Sequence, residues 1–185
     1  MALITLADAK AQLDITTATH DTELQGYIEA LTAVVEGIVG PVETRTVTET
    51  VNGRGPALCL AQTPAVSLTS ITPQLTGGTA LDVAQLHLDG ATGIIRRRDG
   101  GRFYGGPWTV VYTAGRPEVP PTIRLAALIL LQHLWRTQYG AARGLTGIGG
   151  SDDFSVSEPV PGFGYAVPNR VLQLLEPFKS GPGVA

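Results

Sequence analysis

Residues 108–140 read WTVVYTAGRPEVPPTIRLAALILLQHLWRTQYG. The run Trp108–Thr113 is β-branched and aromatic, which suits a strand. Gly115 ends it, Arg116–Pro121 forms a rigid connector, and Pro121 has the fixed φ that favours the first turn of a helix. From Thr122 to Tyr139 the chain is apolar almost all round (Ile123, Leu125, Leu128, Ile129, Leu131, Leu134, Trp135), and a helix greasy on every side is expected to be buried on every side. One step therefore carries the chain from strand to central helix. The class it predicts is α+β.

Upstream, the period of the apolar residues changes twice. Residues 5–15 form a short helix opened by Thr5-Leu-Ala-Asp8, a capping-box spacing with Asp in place of the usual Glu or Gln. After a polar break, Leu24, Ile28, Leu31, Val35 and Ile38 recur at spacings of four and three, an unbroken seam along a helix over 21–39 that Gly40-Pro41 stops. From Val42 to Gly115 the period is two. Glu43–Val51 alternates but looks polar on both faces, which predicts an edge strand or a projecting hairpin. Further strands are expected at Ala57–Leu60, Val66–Gln74, Gln85–Leu88, Gly93–Arg97 and Trp108–Thr113, separated by Gly-rich turns. Together they make an antiparallel sheet or sandwich. The predicted core draws on Leu24, Ile28, Leu31, Val35, Ile38, Leu128, Leu131 and Trp135.

Downstream the character changes again. Residues 140–166 hold seven glycines and two prolines, longer than the ~12–15 residues usual for a loop in a compact domain. Pro168–Glu176 reads as a short amphipathic helix (Val171, Leu172, Leu174, Leu175), Pro177 stops it, and Ser180–Ala185 is expected to be loose. The aromatics Phe154, Phe163, Tyr165 and Phe178 flank sequence that cannot fold alone. They are read either as docking groups for a partner or as pins to their own domain.

Composition removes whole classes of chemistry. The chain has 185 residues, 43% of them hydrophobic, so it can bury a core. Its single cysteine, Cys59, excludes a disulfide framework and is read as a small buried hydrophobe. His20, His87 and His133 lie in three different elements without metal-ligand spacing. The glycine cluster at 144–150 lacks the Lys-Ser/Thr of a phosphate loop, and Asp152-Asp153 has no third oxygen ligand nearby. Nothing resembles a signal peptide, and no apolar run approaches a membrane span. No catalytic, cofactor or metal site is expected.

Charge is scarce, at 16% of residues against a usual ~25%. Residues 1–40 carry six acids and one lysine, and the whole chain has a net charge of −3. A free-standing nucleic-acid binder would show a basic stripe instead. The one concentrated positive patch is Arg96-Arg97-Arg98 with Arg102. It is read as DNA-facing or, preferentially, as a hairpin tip that stays solvated or meets the acidic helices of a neighbouring copy.

Taken together, Met-Ala-Leu-Ile-Thr-Leu-Ala-Asp-Ala-Lys-Ala-Gln-Leu at the start, the long acidic second helix, the Leu60-Ala-Gln-Thr-Pro64 step and the Trp108–Gly115 strand leading through prolines into Ile123–Trp135 resemble the head-tail connector (adaptor) proteins of long-tailed bacteriophages. The resemblance covers roughly residues 1–138. It implies a connector domain over 1–139, a small bundle of helices 5–15, 21–39 and 122–139 with the β insert 42–115. A 140–185 arm with a Gly-rich loop, short helix and flexible tail would follow. It further implies a ring of about a dozen copies under the portal that extends the DNA channel and joins capsid to tail. Its partners would be further copies, the portal protein and a stopper or tail-completion protein. Genomic DNA would pass without sequence-specific binding, and no membrane would be involved. The location implied is the virion head-tail junction, with host cytoplasm during assembly. Portal docking would fall to Phe154, Phe163, Tyr165, Val171, Leu174, Leu175 and Phe178. The alternatives are another head-tail joining protein, namely a stopper or tail-completion protein, and a monomeric β-rich binding module.

Overall fold

A computed structural model describes residues 3–53, 55–136 and 167–179. The chain divides into a helical unit, drawn from residues up to Ile38 and from Val119 to Lys179, and a β unit, Val39–Glu118. Among the described residues, four α-helices and six strands make an α+β protein in which the strands are inserted between the second and third helices.

In the helical unit, α1 (Leu6–Leu13) opens on a complete capping box. The Asp8 N–H donates to Thr5 Oγ1 at 3.1 Å, and the Thr5 N–H donates back to Asp8 Oδ2 at 3.0 Å. Asp14 closes the helix in the left-handed region (φ 56°, ψ 40°), a conformation that Asp tolerates better than most residues. Then comes α2 (Asp21–Val39), held to α1 by Lys10 Nζ, 2.7 Å from Asp21 Oδ1.

Helix α3 (Pro121–Arg136) packs on α1 and on α4 (Asn169–Leu175). Leu24, Ile28, Leu31 and Val35 are buried along α2, whereas Ile38 is half-buried and the fully buried position at the helix end is Val39. Ile123, Ala126, Ala127, Leu130, Leu131 and Leu134 form the buried face of α3. The expectation that α3 is buried on every side is corrected: Leu128, Ile129 and Trp135 are only half-buried, and Leu125 is 45% exposed. Sequence periodicity alone cannot show how much of the helix its neighbours cover, and the arc carrying Leu125, Leu128 and Ile129 is left partly open. Trp135 is met edge-on by His20 and Tyr27, at ring-centroid distances of 5.3 and 6.1 Å.

The β unit consists of two three-stranded antiparallel sheets. One has the order β1 (Arg45–Val51), β6 (Trp108–Ala114), β3 (Ala65–Pro73); the other β2 (Ala57–Cys59), β5 (Ile94–Arg97), β4 (Leu86–Asp89). Both contribute to one core, in which Val47, Val51, Ile71, Val110 and Tyr112 meet Leu58, Leu86 and Ile95. Strand β6 is the centre of its sheet, and its burial alternates without a break. Strand β1 is an edge, but it is not polar on both faces: Val47 and Val51 turn inward and are buried. Gly115 follows β6 with φ +108°, where a Cβ would run into the Glu43 carbonyl. Only glycine suits this exit. Arg116 then donates to the carbonyls of Val39 and Pro41 at 2.9 and 3.0 Å, giving a donor to carbonyls at the end of α2 that lack a helical partner.

Candidate interaction surfaces

Among the described residues no group of three or more His, Cys, Asp or Glu could hold a metal ion. The three histidines are scattered. His20 Nδ1 lies 3.3 Å from a Glu23 carboxylate oxygen, and His87 is exposed on β4. His133 is half-buried on α3, and burial lowers its pKa.

The four arginines of the run differ in their surroundings. Side chains alternate along a strand, so Arg96 stands exposed between Ala57 and His87 in the sheet register. Its neighbour Arg97 is engaged within its own turn: Nε and Nη2 donate to the two carboxylate oxygens of Asp99 at 3.0 and 2.6 Å. That bidentate pair holds the Asp99 carboxyl far below the ordinary range, helped by the Gly101 N–H. Arg98 Nε donates to the Leu86 carbonyl at 3.0 Å, and Arg102 is exposed in the following turn. Of the four arginines, Arg97 is ion-paired within its own turn, whereas Arg96, Arg98 and Arg102 are exposed.

The acidic N-terminal region divides in the same way. Asp8 caps α1, Asp21 pairs with Lys10, and the carboxylates of Glu23 and Glu29 are exposed on α2. At the other end of the chain, Val171 and Leu175 are fully buried within the helical unit, so as placed neither is presented to a partner. Leu174 and Phe178 are half-buried. Phe154, Phe163 and Tyr165 lie outside the described residues.

Two features escape a reading of the sequence. Tyr104 and Leu75 are 69% and 58% exposed, on loops joined by a hydrogen bond from the Gln74 N–H to the Pro107 carbonyl at 2.9 Å. Next to Tyr104, Phe103 is buried against Trp108 (ring centroids 6.5 Å apart), and only the contrast between these adjacent aromatics exposes the loop's outward face. The second feature is a cleft of about 410 Å³ lined by Glu49–Gly53 on one side and Ala57, Cys59 and Ala61 on the other. Cys59, expected to be buried, is half-exposed in this cleft. Beside it the Ala61 N–H donates to Glu49 Oε1 at 3.0 Å, and the Gln62 N–H donates to the buried Tyr112 hydroxyl at 3.1 Å.

The model of the head completion protein family matches residues 2–179 of the chain. No curated protein matches it. Among solved structures, a chain of the neck of a native gene transfer agent particle, computed with C12 symmetry, is similar with a TM-score of 0.64 and 18% identity, over 97% of this chain and 90% of that one. A chain of the neck of the empty particle, computed with C6 symmetry, gives a TM-score of 0.63 at 18% identity over 99% and 92%. A chain of the native virion gives 0.61 at 17% over 99% and 92%. At such identity the likeness is one of fold.

Proposed function

The chain belongs to the head completion protein family, and from that membership we propose that it works as a ring-forming subunit of the joint between capsid and tail. It is a structural head-tail joining protein. The observation that carries this reading is the extent of the family match, which runs through both units and the C-terminal helix rather than over one fragment. In the ring, about a dozen copies sit under the portal, contact a stopper or tail-completion protein below, and enclose a channel for DNA. A closed ring needs a heterologous interface, with two different patches on each copy. The necks to which the fold is similar, computed with C12 and C6 symmetry, support such an arrangement.

The exposed carboxylates of Glu23 and Glu29 support a channel-facing role for α2. Negative charge there repels phosphates and lets DNA slide, the converse of the attraction that holds DNA in a basic groove. Portal docking is assigned to the 140–185 arm, where Leu174 and Phe178 supply partly exposed apolar surface. Particles assembled without this chain test the reading. The expected result is filled heads and separate tails; normally joined particles would contradict it. Truncation after Tyr139 with portal pull-down tests the docking assignment, which undiminished capture would remove.

A further inference from the structure

The two sheets of the β unit have four edge strands, and three are guarded. β2 and β4 are only three and four residues long. β3 is interrupted by register shifts between Ala65 and Ser67 and between Leu68 and Ser70, is bridged at Ile71 by Leu81, and ends on Pro73. Short length, bulges and proline are the devices that keep an edge from pairing with another chain. β1 has none of them. Its seven residues pair with β6 in unbroken register, contain no Gly, Pro or Lys, and expose Thr46, Thr48 and Thr50. Among the described residues its only strand partner is β6. Its two charged residues are both engaged within the chain: Arg45 donates to Gln62 Oε1 at 3.1 and 3.2 Å, and Glu49 accepts the Ala61 N–H. The cleft borders the last three residues of this strand, Glu49–Val51, and continues past Asn52 and Gly53; its other wall is made of small side chains, Ala57, Cys59 and Ala61.

We propose that the outer edge of β1 and this cleft receive an extended segment of a second copy of the chain, added as a strand when copies assemble side by side. The inference rests on the ring reading above. Among the described residues no second strand pairs with this edge, and an array of copies supplies an occupant in equal number. Pairing β1 with β1 about a twofold axis would close a dimer and consume the edge, and β3 is too interrupted to continue the sheet. The occupant is therefore a different segment of the neighbour, as a heterologous interface requires. Backbone hydrogen bonds to β1 would provide the attachment, and the small side chains of the facing wall leave room for an extended chain.

Cys59 is the only cysteine in the chain and lines the cleft, so maleimide labelling reads the site directly. In assembled rings the labelling rate of Cys59 should fall at least about tenfold relative to monomer, and the amides of 45–51 should gain protection from hydrogen exchange. Ala61→Arg, an exposed position in the cleft wall, should weaken assembly about tenfold while leaving monomer melting unchanged. Rings that form with Cys59 and 45–51 as accessible as in monomer would overturn the strand addition and leave the ring reading intact. Protection that appears only on adding a different virion protein would overturn the second copy as occupant. Failure to form rings under any condition would overturn both.

Discussion

The Tyr112 hydroxyl is a buried polar group with a defined job: it accepts the Gln62 N–H at the start of the turn after β2. Burial, which penalises the phenolate, is the largest cause raising its pKa to about 12. An acid whose folded pKa lies above its unfolded value favours the protonated fold. Its stabilising share is complete below the ordinary value near 10 and is lost as pH rises from there through about 12. Tyr112→Phe should therefore cost about 1–3 kcal/mol at neutral pH, because an N–H loses its acceptor, and should flatten the alkaline loss of stability. Denaturant titrations on both sides of the ordinary tyrosine pKa measure this. Asp8 behaves in the opposite sense. Hydrogen bonds from Thr5, the backbone N–H first, hold its carboxyl below the ordinary aspartate value of 3.8. Its contribution is present above that value and lost as pH falls through the lower folded one. Thr5→Ala should cost about 1 kcal/mol at neutral pH, read as a drop in melting temperature.

Single elements differ in how much of them is legible in the sequence. Strand β6 and the seam of α2 announce themselves, since strict periods of two and of four-three leave few alternatives. The Thr5–Asp8 spacing likewise gives the cap directly. Environment is harder to read. β1 looks polar on both faces because threonines outnumber its two inward valines, and α3 looks fully enclosed because hydropathy cannot show which neighbours cover it. Within the arginine run, Asp99 in the adjoining turn engages Arg97 through a geometry that composition does not carry. The cleft beside β1 is invisible for the same reason, as it is formed by residues from two different sheets. Two substitutions test the elements. Leu175→Ala should cost about 2–5 kcal/mol, because Leu175 is fully buried in the helical unit. Gly115→Ala should destabilise by more than about 1 kcal/mol, since alanine meets both an unfavourable φ and the Glu43 carbonyl. Equilibrium unfolding measures both, and a neutral result at either position would contradict the packing described.

The molecule as a whole is sparing with charge and carries its acids early, with carboxylates of α2 facing solvent and no metal-ligand cluster among the described residues. Such a chain makes sense as a tile whose surface is completed by neighbours. Replacing Glu23 and Glu29 with Lys should leave the fold unchanged and slow genome ejection, more so at low salt, because the added cations would grip phosphates. The joint itself is most directly tested by the mass of the complex formed when the purified chain is mixed with purified portal rings. A discrete species with about twelve copies of the chain per portal ring is the result expected; a chain that stays monomeric beside unoccupied portals at every concentration would contradict the account.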